Sequence, residues 1–313
     1  MAAASAESGP RPRITVFGGS GFLGRRAVRH LVRRGFAVRI ATRHAVEALE
    51  LFAAERPYVE SADVDVHDPR RVAEALAGAA GVVNAVSLYT EHGRDTFRAV
   101  HVEAARRIAQ LAREQGIDRL VHMSGIGADP QSGSAYIRAR GLGEAAVREA
   151  MPGATILRSA VMFGPDDGFL NTIIGLLRVL PVYPMFGKGE TLLQPVHVEN
   201  VGEAIAAMLQ DAAAAGRTYE IGGPQTLSYA DLLRLVAAEI GVRPRLVEMP
   251  YGLWFGLAGA LSLLPAPPVT RSQIELMEID NVASGALPGL ESLGIVPLDL
   301  RPTIREIRDS RRH

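Results

Sequence analysis

The chain has 313 residues, 48% of them hydrophobic, with 34 basic side chains set against 34 acidic ones. That length houses one large α/β domain, or a domain with a smaller annex, and the balanced charge gives no bulk signal for nucleic acid as a partner. Cysteine is absent, which excludes disulfides, thiolate metal sites, iron–sulfur clusters and a cysteine nucleophile, and the eight histidines show no HExxH or other close ligand pairing, so no metal site is expected. Residues 1–12, "MAAASAESGPRP", are small and polar with two prolines. They read as a disordered tail without the apolar core of a secretory signal, and a cytoplasmic location is expected.

From Arg13 onward the pattern is regular. "RITVFGG" is a β-branched apolar run ending in glycine, "FLGRRAVRHLVRRG" puts Phe22, Leu23, Ala27, Leu31 and Val32 at helical spacing, and Gly35 stops that helix. "FAVRIATR", "YVESADVDV", "GVVNAVS" and "RLVHMS" predict four more strands, with helices over "DPRRVAEALAGA" and 97–115 between them. A helix over 136–150 leads into a sixth strand, "ATILRSAVMFG". Strands alternating with helices imply parallel pairing and right-handed crossovers, hence a Rossmann-type doubly wound α/β sheet over 13–165. Beyond 165 the rhythm loosens. Helical stretches at 168–180, 198–210 and 228–240, separated by strands such as "TYEIGG" and "RLVEMP", predict a smaller C-terminal α/β lobe, 166–313, interleaved with the ligand edge of the sheet.

"YGLWFGLAGALSLLPAPPVT" carries no charge, but Pro250 and Pro265 limit its helix. About fourteen residues reach roughly 21 Å against a hydrocarbon core of about 30 Å, so no transmembrane span is expected here. A buried helix of the small lobe is the simplest expectation; the alternative is a greasy surface that docks on a membrane or a partner.

The cofactor signal lies between the first strand and the first helix. Gly18, Gly21 and Gly24 in "VFGGSGFLGR" have GxxGxxG spacing. The first glycine allows a tight turn, the next lets backbone approach a pyrophosphate, the last lets helix pack close to strand, and the helix N-terminus favours the phosphate charge. Ser20, Phe22 and Leu23 belong to the same loop, and Val66, Val86 and Val161 are further expected dinucleotide contacts. An NAD site would place an acid near the end of the second strand, yet "RIATRHA" has none and offers Arg43. A guanidinium takes a 2′-phosphate through paired charge-assisted hydrogen bonds, so NADP(H) is the expected cofactor, with NAD(H) still open. Asp65, closing the third strand, is placed either beside an adenine or as the cap of the next turn.

Two charged clusters remain. Arg25, Arg26, Arg29, Arg33 and Arg34 are expected to form a solvated helix face, or otherwise a basic patch for an acidic partner or lipid headgroups. Asp166 and Asp167 precede a helical stretch and are expected to cap it.

These strings, together with "VHMSGIGAD", "RARGLGEAAVREAMPGATILRSAVMFGPDDGFLN", "LQPVHVENVGEAI" and "DNVASGALPGLESLGI", resemble the atypical extended short-chain dehydrogenases/reductases. The likeness covers nearly everything after the tail and is strongest to the branch containing the NADPH-binding accessory subunit of respiratory complex I and its bacterial relatives. In active members of the family, a tyrosine exchanges a proton with the substrate carbonyl, a lysine four residues on holds the nicotinamide ribose and lowers the tyrosine's pKa, and a serine or threonine binds the substrate oxygen. The resemblance puts Tyr136 in the tyrosine's place and Arg140 in the lysine's, both also expected against the cofactor. The only lysine of the chain is Lys188. Ser124 is the candidate hydroxyl, although the family's position falls about two residues later, on Ile126; Ser132 and Ser134 lie nearby. Arginine for lysine is not conservative, because a guanidinium is bulkier and more rigid than an ammonium. The resemblance therefore implies an NADP(H)-binding protein with a degraded active site. Its role would be structural, assembly-related or sensory, linked to a respiratory complex, with peripheral contact at the inner face of a membrane. The alternative is a working NAD(P)H-dependent reductase or epimerase on a small carbonyl or sugar-nucleotide substrate.

Overall fold

The computed structural model describes residues 10–261 and 269–310. Its strands are β1 (Arg13–Phe17), β2 (Ala37–Thr42), β3 (Val59–Asp63), β4 (Gly81–Asn84), β5 (Leu120–Gly125), β6 (Thr155–Ser159), β7 (Met162–Phe163), β8 (Val182–Phe186), β9 (Leu192–Leu193), β10 (Val196–His197), β11 (Thr218–Ile221), β12 (Leu227–Ser228) and β13 (Arg245–Met249). The helices are α1 (Phe22–Arg33), α2 (Ala45–Glu50), α3 (Pro69–Leu76), α4 (Ala105–Glu114), α5 (Ala135–Ala150), α6 (Phe169–Val179), α7 (Val198–Gln210), α8 (Tyr229–Ile240), α9 (Tyr251–Leu261), α10 (Arg271–Leu276) and α11 (Leu300–Ser310).

Seven strands make one sheet in the order β11-β6-β5-β4-β1-β2-β3, and every pairing in it is parallel. The apolar runs explain why both faces are covered. Val16 and Val83 point to one side, where they meet Leu23, Ala27 and Leu31 of α1 and Val201 and Ile205 of α7. Phe17 and Val82, one residue away in each strand, point to the other side, against Leu76 of α3, Ile108 of α4 and Val147 of α5. This period of two on a doubly buried sheet gives continuous rather than alternating apolar strands. The expected doubly wound fold is therefore the one observed.

Residues after 165 return to this sheet twice. Helix α7 lies on α1, where a Cβ at Gly202 would come within 2.8 Å of Arg26 Cβ, and β11 pairs with β6 from Thr218↔Ile156 to Ile221↔Ser159. Helices α6, α8 and α11 gather around Phe163, Leu170, Ile174, Leu233 and Ile304 as a second core, edged by the two-stranded pairing of β8 with β13.

Several element boundaries differ from expectation. The sixth strand stops at Ser159, because the Val161 amide donates to Asn281 Oδ1 at 2.6 Å; β7 then pairs separately with β10. The helix expected over 97–115 begins as a π-helical segment, Arg98–Ala104, before α4. Gly143 of α5 backs onto it so closely that a Cβ there would collide with the carbonyl of His101. Helix α9 is not the buried helix that its apolarity suggested: only Ala258 is buried, while Leu253 is 62% exposed. Among the described residues no helix is long and apolar enough to cross a membrane. Most of the expected tail, residues 1–9, and residues 262–268 of the apolar stretch lie outside the described residues.

Candidate functional site

At the switch in strand order, the loop after β1 meets the loop after β4. Gly18 has φ +78°, and a Cβ on it would press against the Ala85 carbonyl at 2.9 Å. A Cβ on Gly24 would overlap the Gly18 carbonyl oxygen, so the third glycine is needed for α1 to reach the loop. Gly21 is different: its Cβ direction meets only the Gly18 oxygen, at 3.3 Å. Gly21 is also the N-cap of α1, which has no side-chain cap and no acid in its first turn. Its leading N–H groups are thus left for an anion. The cradle fits a dinucleotide pyrophosphate, which Gly18, Gly21, Gly24 and the start of α1 would hold. Leu23 is buried, Phe22 is half-buried, and the Ser20 hydroxyl lies 3.2 Å from Thr42 Oγ1.

Of the five arginines expected on a solvated face, Arg33 is exposed, but the other four are paired. Arg25 and Arg26 both pair with Asp166, Arg26 is also 3.5 Å from Glu199, Arg29 is 3.6 Å from Glu55, and Arg34 is 3.6 Å from Glu203. Glu199 and Glu203 reach them because α7 packs on α1, whereas Asp166 comes from the segment before α6 and Glu55 from the segment after α2. The carboxylate pair after β7 divides its work. Asp167 caps α6, accepting the Leu170 amide at 2.6 Å and the Gly164 amide at 2.9 Å, whereas Asp166 belongs to the arginines.

At the ends of β2 and β3 a second charged group forms. Arg43, its side chain 59% exposed, donates to Asp95 Oδ2 at 2.9 Å, and the other oxygen of Asp95 is 2.8 Å from His67 Nε2. Asp65 pairs with Arg94 and caps the following turn through the His67 amide at 2.9 Å. The Val66 carbonyl accepts from Arg107 at 2.7 Å, and the Val86 amide donates to Asn84 Oδ1 at 3.3 Å.

Tyr136 and Arg140 meet, as their helical spacing requires. Arg140 is 9% exposed, and every nitrogen of its guanidinium bonds within the protein: Nε and Nη2 to the Tyr136 hydroxyl at 3.1 and 3.0 Å, Nη1 to the Met123 carbonyl at 3.0 Å, and Nη2 also to Ser87 at 3.4 Å. The Tyr136 ring is enclosed by Phe97 and His101 edge-on, at 5.5 Å each, and by Tyr89 stacked at 5.6 Å. Below it lie two buried imidazoles. Burial, followed by the charge of Arg140, pushes both His101 and His122 down to about 3. Both are neutral at pH 7, so His122 Nδ1 can accept from the Asn84 amide at 3.1 Å.

Ser124 is not brought to this hydroxyl. It donates to Glu144 Oε1 at 2.5 Å, and Glu144 in turn is held by Arg158 at 2.7 and 2.9 Å. Ile126 is packed against the main core, Ser132 accepts the Ser134 amide at 3.2 Å, and the Ser134 hydroxyl is buried without a partner. Sequence reasoning missed Asp95, Tyr89, His101, His122 and Glu144. A signal that could have pointed to this region is Gly141 and Gly143, two glycines inside one helix, which mark a close backbone approach.

Residues 18–170 match the family model described as NAD(P)H-binding. In fold, the chain superposes on the triphenylmethane reductase of Citrobacter sp. complexed with NADP(H), with TM-score 0.75 over 94% of this chain and 99% of that one, at 17% identity. Sheet order, glycine loop and family match together define the class, a Rossmann-type fold whose residues 18–170 are of the NAD(P)H-binding kind. In sequence, it is 32% identical over 288 residues to the mitochondrial NADH-ubiquinone oxidoreductase 40 kDa subunit of Neurospora crassa, covering 91% of this chain and 76% of the relative. It is 33% identical over 309 residues to NADH dehydrogenase (ubiquinone) 1 alpha subcomplex subunit 9 of Mus musculus, covering 96% and 80%. The chain belongs to the family of these alpha subcomplex subunit 9 and 40 kDa subunits.

Proposed function

We propose that the chain is an accessory NADP(H)-binding protein of a respiratory complex, its dinucleotide held as a structural or sensory ligand and not turned over. The observation that carries this reading is Arg140. A residue in the lysine's place must reach the nicotinamide ribose, but all three guanidinium nitrogens are committed to Tyr136, Met123 and Ser87. Ile126 supplies no hydroxyl, and Ser124 is committed to Glu144. Proton transfer needs the acid within hydrogen-bond reach of the substrate, and Tyr136 lies under Tyr89, Phe97 and His101. The names of its relatives support the respiratory partner, and the exposed apolar side of α9 offers a surface for one.

The test is direct. The purified protein is expected to carry NADPH and to leave it unoxidised with quinones, aldehydes and sugar nucleotides. Affinity purification from its own cells is expected to bring respiratory subunits with it. Turnover that Tyr136→Phe lowers by the ~10²–10⁴ of a lost general acid overturns the reading.

A further inference from the structure

The end of β2 has no acid in sequence, yet the fold brings one there. Asp95, 52 positions from Arg43, arrives from the segment after β4 and takes its guanidinium. The turn that presents it is built for the purpose: His92 and Asp95 exchange both backbone hydrogen bonds, at 3.0 and 2.9 Å, and Glu91 receives the Phe97 amide at 2.7 Å. His67, ahead of Arg43, holds the Asp95 carboxyl below the usual carboxylate range, so it is an anion at neutral pH.

We propose that Asp95 is the specificity-determining carboxylate of the dinucleotide site, competing with a 2′-phosphate for Arg43 and offering an acceptor to a 2′-hydroxyl. The inference rests on the reading of this crevice as a dinucleotide site with Arg43 at the ribose. Two guanidiniums, Arg43 and Arg94, face two carboxylates, Asp95 and Asp65, so the group is balanced before any ligand arrives. A 2′-phosphate adds about −1.5 to −2 charges, by analogy with other phosphate monoesters. It can use Arg43 only by displacing Asp95 or sharing the guanidinium with it, next to a like charge. A neutral 2′-hydroxyl meets no such competition and can donate to the same carboxylate, as ribose hydroxyls do to the acid of NAD sites. Asp95 therefore narrows the NADPH preference that Arg43 creates.

Titration calorimetry of NADPH, NADH, 2′,5′-ADP and 5′-AMP on the full chain tests this without any turnover. Asp95→Asn is expected to tighten NADPH and 2′,5′-ADP by about tenfold, the removal of one like-charge contact, and to weaken NADH several-fold. Arg43→Ala is expected to weaken the two 2′-phosphates and leave NADH and 5′-AMP nearly unchanged. Should Asp95→Asn melt far below the unmutated protein, Asp95→Ser, which also removes the charge, takes its place. Equal shifts for NADPH and NADH, or none, overturn the role of Asp95 while leaving the dinucleotide site standing. Failure of the unmutated protein to bind either dinucleotide overturns the site itself, and this inference with it.

Discussion

The glycine loop and the Tyr136 pocket open from the same carboxyl edge of the sheet, but they are made of different material. The loop is backbone: its shape depends on the absence of Cβ atoms at Gly18 and Gly24, and it presents N–H groups with no side chain across them. The pocket is mostly side chain: Arg140 donates to Tyr136 and to the Met123 carbonyl, and Tyr89, Phe97 and His101 pack around the Tyr136 ring. A surface of unsatisfied donors waits for a ligand, whereas a cluster of satisfied ones resists one. On the reading proposed above, one molecule combines a dinucleotide-binding end with a closed chemical end.

The comparison breaks most severely at Gly24. Gly24→Val puts atoms where the Gly18 carbonyl stands, and a loss of about 3 kcal/mol or more in folding stability is expected from urea unfolding. Gly21→Val sharpens the contrast, since its Cβ meets a single atom, the Gly18 oxygen at 3.3 Å, in place of the overlap at Gly24: the fold should survive while ligand stabilisation disappears. For the unmutated protein, NADPH at 100-fold above its Kd contributes about 2.7 kcal/mol, read as a rise in Tm. No rise should be seen in Gly21→Val, and a rise equal to that of the unmutated protein would contradict this account of the loop.

The closed end has its own signature in pH. His101 and His122 titrate near 6.5 when unfolded and near 3 when folded, so between those values the unfolded chain binds protons that the folded one does not. Their contribution is complete above pH 6.5 and is lost as pH falls towards 3. Within that window the slope approaches about 1.4 kcal/mol per pH unit for each histidine. Urea unfolding at pH 7 and pH 5 measures it, and His122→Gln should flatten the difference. An identical slope in that variant would remove His122 from the explanation.

The smallest effect is expected from Tyr136→Phe. Arg140 loses one acceptor but keeps the Met123 carbonyl and Ser87, so the cost should be about 1–2 kcal/mol, with NADPH affinity unchanged by calorimetry. Restoring an ammonium with Arg140→Lys should at most awaken a weak reductase, because Ile126 still stands at the hydroxyl position. A tenfold loss of NADPH affinity in Tyr136→Phe would mean that the two ends are coupled.

How legible each end was in the sequence follows from distance along the chain. Gly18, Gly21 and Gly24 lie within one turn of backbone, and Tyr136 and Arg140 within one turn of helix, so spacing alone placed them together. Asp166 reaches Arg26 across 140 positions, and Asp95 reaches Arg43 across 52. Pairings of that kind are decided by which strands neighbour each other, and periodicity does not record it. Arginines on α1 looked solvent-facing because charge was their only visible property; the acids that pair with most of them come from α7, the segment before α6 and the segment after α2. Helix α9 failed for the opposite reason. Being apolar all round, it has no polar face from which to tell which side is covered.

The return of α7 and β11 to the first sheet also sets a timetable for synthesis. Everything needed for the glycine loop has been made by residue 165, but β6 has no outer neighbour, and Ala27 and Leu31 of α1 lack their cover, until residues 198–221 follow. At about 5–20 residues per second that is roughly 3 to 11 seconds of elongation. During it, the nascent nucleotide half carries an open strand edge and a wet apolar flank. A chain ending at Pro165 would keep both permanently and become a client for chaperones rather than a free-standing domain.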